Sequence, residues 1–214
     1  MKILRLLSLL LDYPQQELVD AKDDLLNIVN EAAIEPSHKV ALSQFIAERC
    51  GGDLMDWQSQ YDGLFERGRS LSLLIFEHIH GESRDRGQAM VNLMDQYKQA
   101  GLDLGVKELP DYLPLYMEFL STQGEQNVQI GLEEIAPVLA VLACRADHRE
   151  TNYAAIFHTL LALSEAEIDL SDIKAQISNE KRDDTAKELD KVWEEEMVTF
   201  MGNEQADAGC NTGN

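Results

Sequence analysis

Cysteine is scarce in this chain of 214 residues, and the three that it contains, Cys50, Cys144 and Cys210, lie far apart. No C-x-x-C motif occurs, and none of the three cysteines stands at a metal-ligand spacing from a histidine. These absences argue against a disulfide framework and against a cysteine-ligated zinc site. We expect reduced thiols in a cytoplasmic protein.

Basic residues are also few, because 18 Lys and Arg residues stand against 39 Asp and Glu residues, for a formal net charge of −21. A charge of this sign repels nucleic acid and anionic membrane surfaces. It keeps the protein soluble and attracts a basic partner. We therefore expect no nucleic-acid partner.

A long apolar run is missing as well, since no stretch of about 18 consecutive apolar residues occurs. The N-terminal sequence MKILRLLSLLLDYPQQ differs from a signal peptide in two ways. Arg5 and Ser8 interrupt its apolar residues, and Asp12 and Pro14 follow without a small-residue cleavage site. The sequence predicts a short buried first helix and no stable membrane association.

Catalytic motifs are absent too. The chain has no Ser–His–Asp order, no glycine-rich phosphate loop, no H-E-x-x-H and no G-x-S-x-G. All-helical metallophosphohydrolases need a His-Asp dipeptide, and only the reverse order, Asp147-His148, occurs here. These absences disfavour an enzyme.

What the chain does contain is helical periodicity, with almost no β-strand alternation. We predict an all-α fold, a single compact domain of about ten helices over residues 1–201. Its last helix has apolar residues spaced by 4, 4 and 3 at Leu189, Trp193, Met197 and Phe200. Residues 202–214 have no apolar stripe, and we expect a disordered polar tail. The sequence also predicts helix caps at Ser37, Asp53, Ser83, Asp111 and Ser171.

The segment from Phe65 to Met94 departs from this acidic, amphipathic pattern. It contains two histidines, His78 and His80, and between positions 66 and 86 four basic residues balance four acidic ones. The basic residues are Arg67, Arg69, Arg84 and Arg86, and the acidic ones are Glu66, Glu77, Glu82 and Asp85. Two interpretations stay open: a charge network that fixes a helical hairpin between Leu71 and Ala100, or the edge of a groove that binds a partner.

The histidines do not predict a metal site. Residues two apart on a helix do not share a face, so His78 and His80 make a poor chelate, and no motif supplies a third ligand. We expect no bound metal and instead expect the histidines to face a polar pocket, which their titration would make sensitive to pH. The aromatic residues nearby are most simply core, although tyrosine also suits a partly wet groove; they are Tyr61, Phe65, Phe76, Tyr112 and Tyr116.

Four stretches together resemble one family: YDGLFERGRSLSLLIFEHIHGESRDRGQAMV, ELPDYLPLYMEFL, IAPVLAVL and RDDTAKELDKVWEEE. With LLDYP near the N-terminus, they are similar to the delta-subunit chaperones of respiratory nitrate reductase, which belong to the all-helical redox-enzyme maturation chaperones. The resemblance extends from Leu10 to about Phe200. In the wider family a motif resembling E-x-P-x-D-H, or a close variant of it, lies between the two halves of the fold. Glu108, Pro110 and Asp111 match it, whereas Tyr112 stands where histidine is common.

The resemblance implies a cytoplasmic, system-specific chaperone with no cofactor of its own. Such proteins bind the N-terminal segment of the catalytic molybdenum subunit and hold it competent for insertion of the molybdenum cofactor and an iron–sulfur cluster. They also delay its docking to the membrane partner. Proteins of molybdenum cofactor biosynthesis are further candidate partners.

An acidic chaperone suits a basic amphipathic target segment. We expect this segment to bind in a groove between the hairpin and the helix of residues 110–120, with His78 and His80 as candidates for a pH-dependent release switch. The candidate peptide-binding residues are Tyr61, Leu64, Phe65, Arg67, Phe76, Glu77, His78, His80, Arg84, Arg86, Glu108, Asp111, Tyr112 and Tyr116.

Two alternatives remain at this point. One is a helical metal-dependent hydrolase with its site at His78, His80 and Asp111, which stoichiometric metal in the purified protein would support. The other is a permanent structural subunit of the reductase, which equal stoichiometry in the mature enzyme would support.

Overall fold

Helices follow one another along the chain with short connections. The computed structural model describes residues 1–81, 83–102, 108–180 and 183. Within these ranges it contains twelve α-helices and no β-strand, and its single β-type contact is one isolated bridge. The helices are α1 Lys2–Leu11, α2 Gln16–Asp20, α3 Lys22–Glu31, α4 Pro36–Arg49, α5 Leu54–Tyr61, α6 Ile75–His80, α7 Asp85–Gln99, α8 Leu113–Ser121, α9 Glu125–Glu134, α10 Ala136–His148, α11 Ala154–Leu163 and α12 Leu170–Ile177. The predicted all-α fold is confirmed.

Several features discussed in the sequence analysis lie outside the described residues. They are Glu82, Cys210, the predicted last helix and the polar tail of 202–214.

Helix α1 occupies the centre of one half of the core, as predicted for a buried first helix. It packs against α8, α11 and α3, and its leucines at 4, 7, 10 and 11 are fully buried. Burying one leucine is worth about 1.5–3 kcal/mol. Leu9, on the outer face of α1, is instead 45% exposed.

An aromatic cluster joins α4, α5 and α11. Phe65, in a π-helical turn that continues α5, packs its ring edge-on against Tyr153, with centroids 4.9 Å apart. Trp57 Nε1 donates a hydrogen bond of 2.7 Å to the Tyr153 hydroxyl. The rings of Tyr61 and Phe45 complete the cluster. Tyr61 and Phe65 therefore belong to the core.

The predicted caps have mixed outcomes. Asp53 caps α5, because its carboxylate accepts hydrogen bonds from the backbone N–H groups of Met55 and Asp56. Ser37 and Ser171 lie inside the first turns of α4 and α12 and are not caps, and Asp169 caps α12 instead. Ser83 Oγ accepts from the backbone N–H of Asp85 at the start of α7. Asp111 does not cap α8, since its carboxylate accepts the backbone N–H of Phe76 in α6.

Of the segment from Leu71 to His80, which the hairpin prediction takes as one helix, only the second half is helical. Only Ile75–His80 is helical, because the preceding residues pair with the chain before α8. The Ile75 N–H donates to the Asp111 carbonyl at 2.9 Å, and the Leu113 N–H donates to the Leu73 carbonyl at 2.8 Å. These long-range bonds satisfy backbone groups that a longer helix would have used internally.

No single helix among the described residues is long and apolar enough to cross a membrane. Helices α9 and α10 have the length and the apolar composition of a membrane span only when taken together, and they meet at a bend of 66°.

Candidate functional site

Three of the motif segments meet at the side chain of Tyr112. Its hydroxyl donates to Asp12 Oδ1 at 3.1 Å and lies 3.0 Å from the Tyr61 hydroxyl. Tyr61 in turn donates to the Leu11 carbonyl at 3.0 Å. Burial raises the pKa of Tyr61 and of Tyr112 well above 10, so both hydroxyls keep their protons at physiological pH. This network ties the end of α1 to the start of α8.

A buried charge cluster lies next to this junction. Asp111 is 0% exposed, and its Oδ2 accepts the Phe76 N–H at 3.1 Å. Arg86 reaches from α7 with Nη2 3.8 Å from Asp111 Oδ2 and Nη1 3.4 Å from Glu77 Oε1. Burial raises the pKa of Asp111, while the Phe76 N–H and Arg86 act in the opposite direction. Arg86 and Glu77 thus form part of a charge network, which was one of the two interpretations of the hairpin.

Backbone hydrogen bonds join the two expected walls of the groove, and cavities lie beside each of them. We name the first the hairpin groove. It has a volume of about 800 Å³ and lies between residues 69–79 and helix α10. Its apolar floor is formed by Ile79, Pro137, Val138 and Val141. Its polar rim is formed by Arg69, Ser70, Glu77, His78, Glu134, Arg145 and Asp183.

His78 lines the hairpin groove and has a defined partner. Its Nε2 lies 2.8 Å from the Ser72 carbonyl, so this nitrogen carries the hydrogen and donates it. Burial lowers the pKa of His78 below 6.5, although the Ser72 carbonyl raises it. His80 points elsewhere and packs against the Phe76 ring, with centroids 5.6 Å apart. The two histidines therefore do not act on one pocket.

We name the second cavity the helix-1 groove. It consists of two neighbouring cavities of about 310 and 100 Å³, which share Leu9 and Asp12 of the α1 end. On one side lie Tyr13, Gln15, Glu17, Leu18, Ala21 and Leu25, and on the other lie Arg5, Ser8, Glu108, Tyr112, Pro114, Leu115 and Glu118.

The helix-1 groove combines exposed apolar surface with an acidic rim. Leu9 and Tyr13 are 45% and 41% exposed. Four carboxylates and one guanidinium line the groove: Asp12, Glu17, Glu108, Glu118 and Arg5. Arg5 lies 3.9 Å from Glu118, and the remaining acids give the groove a negative potential.

The predicted site residues thus separate into groups. Tyr61, Phe65, Asp111 and Tyr116 are buried, and Tyr116 donates its hydroxyl to the Gly131 carbonyl at 3.2 Å. Glu77 and His78 line the hairpin groove, whereas Glu108 and Tyr112 line the helix-1 groove. Leu64 lines a third cavity of about 670 Å³ beside Arg49 and Asn152. Phe76, His80 and Arg86 are half-buried, and Arg67 and Arg84 are exposed.

Sequence reasoning missed several groove residues, chiefly Leu9, Asp12 and Tyr13. A signal for them was present, because Leu9 and Tyr13 are large apolar residues beside a charged one at the end of a helix. As to metals, no three His, Cys, Asp or Glu side chains come together as a ligand group in the part of the chain that the structure describes.

Comparison with known proteins identifies the family of this chain. The family model described as nitrate reductase delta subunit matches residues 31–159. The chain belongs to the nitrate reductase delta subunit family. The matched range includes Tyr112, Asp111, Arg86 and Glu77, whereas Asp12 lies before it.

Curated relatives in the delta subunit family match almost the whole chain. NarJ of Escherichia coli K12, named a nitrate reductase molybdenum cofactor assembly chaperone, is 45% identical, and the alignment covers 96% of this chain and 86% of NarJ. NarW of the same strain, named a probable chaperone of the same kind, is 42% identical over 94% of this chain and 84% of its own length. NarJ of Bacillus subtilis, also named as probable, is 28% identical over 74% of this chain and 86% of its own length.

A solved structure shares the fold. It is described as a putative redox enzyme maturation protein from Archaeoglobus fulgidus, and it aligns with a TM-score of 0.54 at 19% identity over 77% of this chain and 93% of that one. The predicted redox-enzyme maturation chaperone fold is confirmed.

Proposed function

We propose that this delta subunit family member is a chaperone of nitrate reductase assembly that supports molybdenum cofactor insertion and is not itself an enzyme. The observation that carries this proposal is the 45% identity to the E. coli chaperone NarJ over 96% of the chain. At that identity and coverage, two chains share their fold. The reductase is the partner that the relatives' names specify.

The finer proposal is that the N-terminal basic amphipathic segment of the catalytic subunit binds in the helix-1 groove. Its apolar side would cover Leu9, Tyr13 and Leu18, which line the groove. Its Lys or Arg residues would lie near Asp12, Glu17 and Glu108. Acidic residues around an apolar floor both steer a basic segment to the groove and fix its orientation.

The chaperone would act in the cytoplasm, before the catalytic subunit docks to its membrane partner. By covering the segment it would keep the subunit open for the molybdenum cofactor and an iron–sulfur cluster, with proteins of cofactor biosynthesis as further partners. The chaperone would hold no cofactor itself. Release would be aided by salt or by competition, because contacts between exposed charges are screened by ions.

Calorimetry with a synthetic peptide of the catalytic subunit's N-terminus tests this proposal. Leu9→Lys puts a positive charge on the apolar floor of the groove, and we expect it to weaken the affinity for the basic peptide about tenfold or more, which is ~1.4 kcal/mol. Val40→Lys is the matched control, because Val40 is 67% exposed on α4 and lines neither groove. Circular dichroism checks that both variants fold.

The outcomes separate the coarse proposal from the fine one. A wild-type protein that gives no heat with high micromolar peptide would contradict peptide binding altogether. Wild-type binding that Leu9→Lys leaves unchanged would retain the chaperone function and place the peptide away from the helix-1 groove.

A further inference from the structure

The end of α1 divides the helix-1 groove into its two cavities. Leu9 of α1 and Asp12, three residues later, line both the cavity of about 310 Å³ and the cavity of about 100 Å³. These two shared residues therefore form the boundary between the cavities. Because every other lining residue belongs to one cavity alone, the two cavities can receive different side chains of a bound segment.

The larger cavity has a largely apolar lining. Leu18 of α2 and Leu25 of α3 line it together with Leu9, which is 45% exposed. Tyr13 lines it as well, and its ring packs edge-on against the Tyr61 ring with centroids 5.5 Å apart. Covering exposed apolar surface of this kind with another apolar group is favourable. The larger cavity therefore suits a large apolar side chain.

The smaller cavity is acidic. Three carboxylates, those of Asp12, Glu108 and Glu118, line it with one cation, Arg5, which lies 3.9 Å from Glu118. In the part of the chain that the structure describes, Asp12 and Glu108 form no ion pair. Two carboxylates without a cation beside them create a local negative potential. The smaller cavity therefore suits the ammonium of a lysine or the guanidinium of an arginine.

The fold holds the carboxylate of Asp12 in position. Asp12 Oδ1 accepts hydrogen bonds from the Tyr13 N–H at 2.8 Å and from the Tyr112 hydroxyl at 3.1 Å. Both bonds engage the same oxygen, and Asp12 is exposed, so Oδ2 can accept a hydrogen bond from a ligand. A side chain that is already fixed loses less conformational freedom on binding. Asp12 is therefore well placed to recognise a basic side chain.

On the basis of the proposed function, we infer that the helix-1 groove recognises two neighbouring side chains of the catalytic subunit's segment. A large apolar side chain enters the larger cavity, and a basic one binds Asp12 in the smaller cavity. Because the cavities share a boundary, both side chains come from neighbouring positions on one face of the segment. On a helix such positions are three or four residues apart, with Cβ atoms about 5–6 Å from each other. Asp12 thus determines specificity in this groove.

Two variants each act on one cavity. Asp12→Asn removes the charge and keeps an oxygen that can accept from Tyr13 and Tyr112. Ala21→Leu enlarges a half-buried side chain that lines the larger cavity, and it adds no charge. Asp24→Asn is the matched control, because Asp24 is an exposed acid of α3 that lines neither cavity. Circular dichroism and urea denaturation check that all three variants fold.

Calorimetry with variants of the catalytic subunit's N-terminal peptide then identifies the two side chains. Each Lys or Arg of the peptide is changed in turn to Gln, and each large apolar residue to Ala. We expect one basic residue whose change weakens binding to the wild type about threefold to fivefold but leaves binding to Asp12→Asn unchanged. Three or four positions away, we expect an apolar residue whose change weakens binding to the wild type but not to Ala21→Leu. Asp24→Asn should respond to both peptide changes as the wild type does.

The outcomes distinguish this recognition from the proposed function. No heat from the wild type with the unaltered peptide would contradict the proposed function, and the recognition with it. Peptide binding in which each basic residue counts equally for the wild type and for Asp12→Asn would retain the function and overturn the recognition. A basic and an apolar residue at any other separation would overturn it as well. A peptide affinity that falls as the protein concentration rises would show that a second copy of the chain competes for the groove, which would also overturn it.

Discussion

Tyr112 donates a hydrogen bond to Asp12 across 100 positions of sequence, at 3.1 Å. The bond connects the end of the buried helix α1 to the residue before α8, and it forms part of the wall of the helix-1 groove. The Tyr112 hydroxyl therefore acts as a structural donor, and its raised pKa keeps it protonated.

Tyr112→Phe tests that role. It removes the hydrogen bonds to Asp12 and Tyr61 and keeps the ring, so we expect a loss of about 1 kcal/mol in the free energy of unfolding. Urea denaturation measures this loss. Tyr13→Phe is the control, because the Tyr13 ring is 41% exposed at the groove surface and a change there should stay within about 0.5 kcal/mol. Equal stabilities for the two variants would contradict the role given to the Tyr112 hydroxyl.

Some local features of the fold were predictable from the sequence, although the predicted caps at Ser37 and Ser171 were wrong, and long-range features were not predictable. The periodicity of α1 and the cap at Asp53 depend on neighbours within a few residues, and both predictions are confirmed. Asp111 looked equally like a cap for α8, yet it binds the Phe76 N–H, 35 positions earlier. Its burial decides its partner, and no local pattern reports burial of that kind.

The candidate site follows the same rule. The histidines and arginines of the hairpin drew attention because they cluster in sequence, whereas the helix-1 groove brings together Asp12 and Glu108 from distant segments. The prediction of a helix beginning near Leu71 was wrong for residues 71–74, because the hydrogen-bond partners of this stretch, Asp111 and Leu113, lie far along the chain. Sequence patterns therefore indicate which residues are unusual, but not which of them lie together in the fold.

The buried carboxylate of Asp111 gives a second prediction. Asp111→Ala leaves the Phe76 N–H without its acceptor and Arg86 with Glu77 alone, so we expect a loss of about 3 kcal/mol in the free energy of unfolding. Asp111→Asn retains an acceptor oxygen and should cost about 1 kcal/mol. Chemical denaturation ranks the two.

The control for Asp111 is Asp85→Ala, an exposed acid in the first turn of α7, which should change stability by about 0.5 kcal/mol or less. If Asp111→Ala were no more costly than Asp85→Ala, the buried cluster would contribute nothing to the junction of the two segments.

Two helical glycines give a matched third prediction. A Cβ atom at Gly131 in α9 would lie 2.5 Å from Leu120 Cδ2 and 3.0 Å from the Tyr116 hydroxyl, so Gly131→Ala should destabilise the protein by about 1–3 kcal/mol. A Cβ atom at Gly87 in α7 would meet nothing within 4 Å, so Gly87→Ala should stabilise it by about 0.5–1 kcal/mol. Thermal unfolding followed by circular dichroism measures both. Shifts of the same sign would contradict the close packing of α8 and α9.

His78 gives the last prediction, which concerns pH. Burial lowers the pKa of His78 in the folded protein, Arg145 of α10 lowers it further, and the Ser72 carbonyl and Glu77 act in the opposite direction. In the unfolded chain its pKa is close to 6.5. Between these two values the unfolded chain binds more protons than the folded one. Stability should therefore fall as the pH drops from about 7 through 6.5 toward the folded pKa.

His78→Gln removes this proton and keeps an amide that can donate to the Ser72 carbonyl, so the fall in stability between about pH 7 and pH 5.5 should be shallower than in the wild type. His38, whose pKa is also lowered by burial and by His158, titrates in the same range, so the variant should reduce the slope without abolishing it. Melting temperatures of the wild type and of His78→Gln over this pH range measure the two slopes. If His78→Gln leaves the slope of stability against pH unaltered, His78 does not change its protonation on unfolding.

The release switch predicted for His78 and His80 has its own test, which is the affinity for the peptide as a function of pH. An affinity that stays flat from about pH 5.5 to 8 would exclude the histidines as a release switch.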